Sequence, residues 1–269
     1  MKGADHEFCV HESYESNAKQ PSMIYFGRLV GRSGRNAVNK YDLKKRSYIN
    51  TTSMDTELAL ITANIALASP GKLCYDPFVG TASFPIACAH FGAMAFGSDL
   101  DGRTIRGTKG RNVLTNFEQY GLRSRWLDGF IADLTNSPLR MSRCLDAILC
   151  DPPYGVREAL KVLGRKDGGG KEVIYIDGVA AHTYGFLTTF GGFDLTIARL
   201  PDYIAPKMQY SFEALLQDIL DFAASALVDS GRLCMWMPTA NDQDSELPIP
   251  QHSALQIVCT CVQNFNKCT

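Results

Sequence analysis

Between residues 72 and 151, four short apolar runs each close on an acid. They are "KLCYD" ending at Asp76, "AMAFGSD" at Asp99, "RWLDGFIAD" at Asp133 and "LDAILCD" at Asp151. Helix-like stretches intervene: "FPIACAHFG" after the first run, and a longer one over roughly 101–120 after the second. Strands alternating with helices predict a mainly parallel, doubly wound α/β sheet with helices on both faces. Downstream, "SFEALLQDILDFAASALVDSG" predicts an amphipathic helix capped by Ser211, with Gly231 just past its end. "RLCMWMP" reads as a fifth strand and "ALQIVCTCVQNF" as a sixth. Upstream, "TTSMDTELALITANIAL" predicts a helix capped by Thr52 or Ser53 and ended by Pro70-Gly71. Residues 157–207 carry no assignable period.

In an open parallel sheet the C-terminal ends of the strands line the ligand crevice. A single Asp there commonly caps the next helix. Four in succession, around the one turn "DPFVGTAS", point to a site. That turn lacks both the Gly-x-Gly-x-x-Gly pattern and the lysine of a phosphate loop, so no diphosphate cradle is present. Carboxylates repel a diphosphate but satisfy a ligand made of donors and positive charge. S-adenosylmethionine is such a ligand. Its ammonium suits Asp76, its ribose hydroxyls Asp99 and its adenine amino group Asp133, while Gly80 permits close backbone approach.

The fourth run ends on "DPPYGVRE". Prolines fix φ and offer carbonyls without donors. Asp151 and the Pro152 carbonyl, stiffened by Pro153, would form an acceptor-only claw for the two hydrogens of an exocyclic amine on a nucleobase. The nitrogen lone pair would then face a sulfonium methyl, for an in-line transfer driven by positioning and electrostatics. Tyr154 would stack on the base, a contact worth roughly 1–3 kcal/mol. A base held in paired RNA would have to be flipped out to reach it.

Hydrophobic residues make up 45% of the 269, enough for a sizeable core. The net charge of −1 supplies no global attraction for nucleic acid, so any such attraction is local. Residues 27–48 carry seven Lys or Arg and one Asp, and Arg28, Arg32, Arg35, Lys44, Lys45 and Arg46 are candidate RNA contacts. Arg157, Lys161, Arg165, Lys166 and Lys171, on a Gly-rich stretch, suggest a mobile lid or RNA-contacting loop after the claw. Nine cysteines, several within apolar runs, fit a reducing compartment. Cys259-x-Cys261 has no second Cys or His pair at ligand spacing, so no metal is expected. No apolar signal core or membrane-length run is present, which suggests the cytosol.

These residues resemble the amino-methyltransferases with an Asp/Asn/Ser-Pro-Pro-Tyr/Phe/Trp motif. From about Ile24 to Phe265 the chain is similar to the catalytic domain of the tRNA guanine-N2 methyltransferases that act at position 10. The resemblance rests on "YFGR", "YDLKKRSYINTTSMDTELAL", "YDPFVGTAS", "CAHFGAMAFGSDLD", "LDAILCDPPYGVRE" and "GRLCMW". It implies a Rossmann-like class I fold, S-adenosylmethionine as donor and guanine N2 in tRNA as acceptor. It also implies Asp151, Pro152, Pro153 and Tyr154 as the catalytic motif, with Thr52, Ser53, Asp76, Phe78, Gly80, Asp99 and Asp133 at the cofactor. The alternatives from residues alone are an N6-adenine methyltransferase on DNA or RNA, or an inactive binding module.

Three departures from the family pattern carry expectations. The family has an N-terminal RNA-binding region with a THUMP domain, so residues 1–26 are expected to be its remnant, 27–50 a basic linker and 51–269 the catalytic domain. Ala82 replaces the second glycine of the family turn, at a cost of roughly 1–2 kcal/mol if φ is positive there. The family's last antiparallel strand is expected to be missing. Eukaryotic relatives pair with a small zinc-binding activator. The third strand is expected at a sheet edge, with Trp126 and Phe130 on one face as its docking site.

Overall fold

The fold comes from a computed structural model, which describes residues 5–139, 142–154, 161–163, 173–176, 179–182, 207–238 and 249–263. The chain divides into two units, Met1–Tyr41 and Asp42–Thr269. In the first, β1 (Phe8–Ser13) and β2 (Met23–Arg28) pair antiparallel in register from Phe8 opposite Arg28 to Ser13 opposite Met23. Phe8 stacks on Phe26 at 5.6 Å, and Arg32 pairs with Glu7 at 2.7 Å. The short helix α1 (Asn36–Lys40) follows. The hairpin spans residues 8–28, and the two compact units meet between Tyr41 and Asp42.

In the second unit, α2 (Thr56–Ile65) is capped by Asp55, whose side chain accepts from Glu57 N and Leu58 N. This corrects the expected cap. Thr52 and Ser53 instead belong to the turn before it. The strand β3 (Leu73–Asp76), the helix α3 (Ser83–His90) and the strand β4 (Met94–Asp99) follow. The single helix expected over 101–120 is two, α4 (Gly102–Arg106) and α5 (Val113–Gln119). Backbone hydrogen bonds between Thr108 and Arg111 close the turn between them, and Asn112 and Thr115 form a reciprocal capping box that starts α5.

β5 (Trp126–Ile131) and β6 (Leu145–Cys150) complete the expected strands up to Asp151. Within 157–207 lie β7 (Lys161–Leu163), β8 (Val173–Ile176) and β9 (Val179–His182), and β10 (Lys207–Gln209) begins at its end. They form two antiparallel pairs, β7 with β10 and β8 with β9. Then come α6 (Phe212–Ala226), capped by Ser211 as expected, and β11 (Leu227–Met235). The helix passes directly into the strand, so Gly231 lies inside β11 and does not cap α6. Residues 254–263 of the expected sixth strand are exposed or half-buried and form no strand; the rest of that run lies outside the described residues. Among the described residues no strand pairs with them.

The sheet order is β11-β6-β3-β4-β5, and every pair within it is parallel. The chain builds outward from β3 to β5, then returns to β6 on the other side. The order therefore reverses between β3 and β6, the position where open α/β sheets bind ligands. Tyr75, Ile148, Leu215, Ile219 and Phe222 form the core beneath α6. Phe117 of α5 stacks on Trp126 at 4.7 Å.

β5 is the edge strand, as expected, but Trp126 and Phe130 do not share a face. Trp126 lies opposite Ala95 and Phe130 opposite Ser98, with a register shift between. Those partners lie three positions apart on β4 while the rings lie four apart on β5, so the bulge turns the two rings to opposite sides. Trp126 is buried against α5, while Phe130 joins Tyr75 and Phe96 at 6.4 Å each. The side chains of β5 left exposed are Leu127 and Ile131 among the large apolar ones. Among the described residues, no helix is long and apolar enough to cross a membrane.

Candidate active site

The ends of β3, β4 and β6 bring three of the four acids together. Asp76 closes β3 and is almost fully buried, with its Oδ1 accepting from Phe78 N at 2.9 Å. Burial holds its carboxyl well above the usual carboxylate range. The Phe78 N–H opposes that shift, while the charges of Asp99 and Asp151 add to it. Such a carboxyl, with two more acids beside it, favours a cation.

Asp99 closes β4. Its Oδ2 accepts from Gly80 N at 2.9 Å and its Oδ1 from Asp101 N at 2.8 Å. The second strand's acid thus holds the turn that follows the first strand. Val79 N also donates to the Ser98 carbonyl at 2.8 Å. Asp133 stands two residues beyond β5 and is buried, its Oδ1 accepting from Thr135 N at 3.0 Å. Ala132 beside it donates to the Asp99 carbonyl at 3.2 Å, so this segment abuts the end of β4. Phe78 is half-buried and packs against the core beneath α6.

The turn from Pro77 to Ala82 contains two positive φ values, +47° at Gly80 and +67° at Ala82. The condition under which Ala82 costs stability is therefore met. Thr52 and Ser53 border this turn: Asn50 Oδ1 accepts from Thr52 N, Thr52 Oγ1 and Ser53 Oγ, each at 3.1 Å, and Ser53 Oγ lies 2.7 Å from Thr81 Oγ1.

Asp151 follows β6 directly. Trp236 N donates to the Cys150 carbonyl at 3.0 Å, which fixes the peptide leading into it. The Tyr154 hydroxyl donates to Asp151 Oδ1, and the Tyr154 ring meets Phe212 edge-on at 6.0 Å. Burial first, then the Asp151 charge, pushes the Tyr154 phenol up, so it stays protonated. In this arrangement the tyrosine hydroxyl already occupies one acceptor site of the expected claw.

The basic candidates divide. Arg28, Arg32, Arg35, Lys44 and Lys45 are exposed. Arg46 is not: it is 6% exposed and its Nη1 donates to Ser83 Oγ at 2.9 Å. Its desolvated guanidinium lies 5.9 Å from the Tyr120 ring centroid. This corrects its reading as a surface RNA contact. Arg157 lies outside the described residues. Sequence reasoning missed Asn116, which is fully buried. The signal for it is its position on the apolar stripe of Val113 and Phe117 in α5, continued by Tyr120 at the helix C-cap, where an amide has to be satisfied internally.

Sheet order, the acids at the switch point and the glycine turn define a Rossmann-like methyltransferase domain, and residues 44–162 match the family model described as RMKL-like, methyltransferase domain. Over nearly its whole length the chain is similar to curated tRNA (guanine(10)-N(2))-methyltransferases. It is 46% identical, over 99% of its length and 60% of the relative's, to the protein of that name from Saccharomyces cerevisiae. The relative from Schizosaccharomyces pombe is 41% identical over 98% of this chain and 51% of its own length. The human relative is 32% identical over 100% and 57% respectively. The chain thus spans between about half and three fifths of the length of these curated relatives.

Proposed function

We propose that this chain is the catalytic part of a tRNA methyltransferase that moves a methyl group from S-adenosylmethionine to the exocyclic N2 of guanine at position 10. The observation that carries the reading is Asp-Pro-Pro-Tyr directly after β6, close to Asp76 and Asp99 at the ends of β3 and β4, in a chain similar over 99% of its length to an enzyme of that name.

The donor set fits the cofactor. Three acids converge at the switch point, and the buried Asp76 has the electrostatic setting of an ammonium partner. In this reading Asp99 takes the ribose hydroxyls and Asp133 the adenine amino group. Thr52, Ser53, Phe78 and Gly80 line the same pocket. The bound cofactor supplies an electrophilic methyl group. Asp151 and the Pro152 carbonyl accept the two N2 hydrogens and aim the nitrogen, Pro153 keeps the claw rigid and Tyr154 stacks on the flipped base. As the N–C bond forms, N2 sheds one proton, for which Asp151 is the adjacent acceptor.

The exposed Arg28, Arg32, Arg35, Lys44 and Lys45 would contact tRNA phosphates, with Arg157 beyond the claw. A small zinc-binding activator would add to the edge of β5 through its backbone and through Leu127 and Ile131. The place of action is then the cytosol.

The test is transfer of labelled methyl to unmodified tRNA, to the same tRNA with inosine at position 10, and to adenine-rich DNA. Methylation of the guanine tRNA alone, abolished in Asp151→Ala, is the expected result. Labelling of the DNA would move the assignment to N6-adenine chemistry. Failure to bind S-adenosylhomocysteine would leave only a binding module.

A further inference from the structure

Three segments far apart in sequence meet around Thr81. Asn116, in the middle of α5, uses both ends of its amide there. Its Nδ2 donates to the Tyr48 carbonyl at 2.8 Å and to the Thr81 carbonyl at 3.3 Å. Its Oδ1 accepts from Tyr48 N at 3.0 Å and from Ser47 Oγ at 3.3 Å. One turn along the same helix face, Gln119 Nε2 donates to the Lys45 carbonyl at 2.7 Å and its Oε1 accepts from Ser47 N at 2.9 Å. Two side-chain amides thus do for residues 45–48 what a neighbouring strand would do.

The strap held in this way grips both residues that flank Ala82. Ser53 Oγ lies 2.7 Å from Thr81 Oγ1, and Arg46 donates to Ser83 Oγ at 2.9 Å. Ala82 between them stands at φ 67° and ψ 41°, a left-handed conformation that its Cβ disfavours. Such a residue keeps that shape only while its surroundings over-determine it.

We propose that Asn116 is a positioning residue: through the 46–53 strap it holds the Ala82 turn in the left-handed form that the cofactor meets. This rests on the reading of that turn as part of an S-adenosylmethionine pocket. Glycine at position 82 would adopt the same form without help. Asn116 and residue 82 are therefore energetically coupled, and glycine at 82 makes Asn116 largely dispensable for binding.

The experiment is titration calorimetry of S-adenosylhomocysteine with the full chain, as wild type, Ala82→Gly, Asn116→Ala and the double variant, with urea unfolding of each. Asn116→Ala is expected to weaken binding about tenfold in the wild-type background and about twofold or less in the Ala82→Gly background. An equal loss in both backgrounds would make Asn116 a general support of α5 and overturn the proposal. A wild-type protein that does not bind S-adenosylhomocysteine would overturn the cofactor reading itself, and the proposal with it. Should Asn116→Ala not fold, Ser53→Ala removes the grip on Thr81 together with the local Ser53–Asn50 hydrogen bonds, and leaves Asn116 in place. It is expected to weaken binding about threefold with alanine at 82 and not measurably with glycine, and equal losses would again sink the idea.

Discussion

Gly97 in β4 sits against Val79 with no room for a methyl group: a Cβ built on Gly97 would fall 2.5 Å from Val79 Cγ2 and 2.8 Å from the Asp76 carbonyl. Here the turn after β3 folds down onto the next strand, and the absence of a side chain sets how closely it approaches. Gly97→Ala must push the turn away, because backbone and a β-branched side chain cannot yield. Overpacking of this kind costs about 1–3 kcal/mol. Urea unfolding should register that loss, and calorimetry a weaker affinity for S-adenosylhomocysteine. Unchanged values for both would mean that the turn tolerates displacement.

Ala82→Gly works in the opposite direction. Removing the Cβ from a residue at φ 67° relieves about 1–2 kcal/mol, against a loss of about 0.4–1 kcal/mol from the freer unfolded chain. The net expectation is a gain of up to about 1.6 kcal/mol in urea, about 0.8 at the midpoints, and tighter binding of S-adenosylhomocysteine. Unchanged affinity by calorimetry would show that the turn is already held at no cost to binding.

The strand ends were legible in the sequence because each apolar run closes on an acid: β3, β4 and β6 match their expected segments closely. The cap of α6 was legible for the same local reason. What escaped depends on partners distant in sequence. A bulge opposite Ala95–Gly97 sends Trp126 and Phe130 to opposite faces, and no period within β5 records it. Arg46 lies within a run of basic residues, yet Ser83 and the Tyr120 ring draw it inside. Residues 254–263 alternate like a strand, but a strand also needs an edge to pair with.

Tyr154 offers two functions that substitution separates. Tyr154→Phe keeps the ring against Phe212 and removes the hydroxyl that donates to Asp151. Its kcat/KM on tRNA should stay within about threefold of wild type, since the freed acceptor then serves the N2 amine. Tyr154→Ala removes the ring and should lower kcat/KM by about 5- to 150-fold, the equivalent of about 1–3 kcal/mol of stacking. Steady-state kinetics with saturating cofactor distinguishes the two. Equal losses would place the function of Tyr154 in its hydroxyl.

The basic segment makes a prediction in salt. Neutralising Arg28, Arg32, Arg35, Lys44 and Lys45 together should flatten the dependence of log affinity for tRNA on log salt. The slope should shrink by about 0.7–0.9 for every phosphate that no longer meets a positive side chain. Arg46→Ala should leave the slope unchanged and lower stability, because its guanidinium is turned inward to Ser83. An unchanged slope in the fivefold variant would assign the exposed residues to solubility.

Asp76 carries a pH dependence whose direction is fixed by its burial. Its folded carboxyl titrates well above the ordinary carboxylate range. Between the unfolded value, about 3.9, and the raised folded one, the folded protein binds more protons than the unfolded chain, so Asp76 makes stability fall as pH rises through that window. Asp76→Asn cannot ionise and should remove that decline from urea unfolding measured across the window. An ammonium group beside Asp76 favours the charged carboxylate, so ligand binding should release a proton, and affinity for S-adenosylhomocysteine should rise with pH over the same range. Calorimetry in buffers of different ionisation heat measures that proton directly. Release in the wild type and none in Asp76→Asn is the expected pair of results. Binding without proton exchange in the wild type would remove Asp76 from the ammonium and leave it the smaller task of tying down Phe78 N.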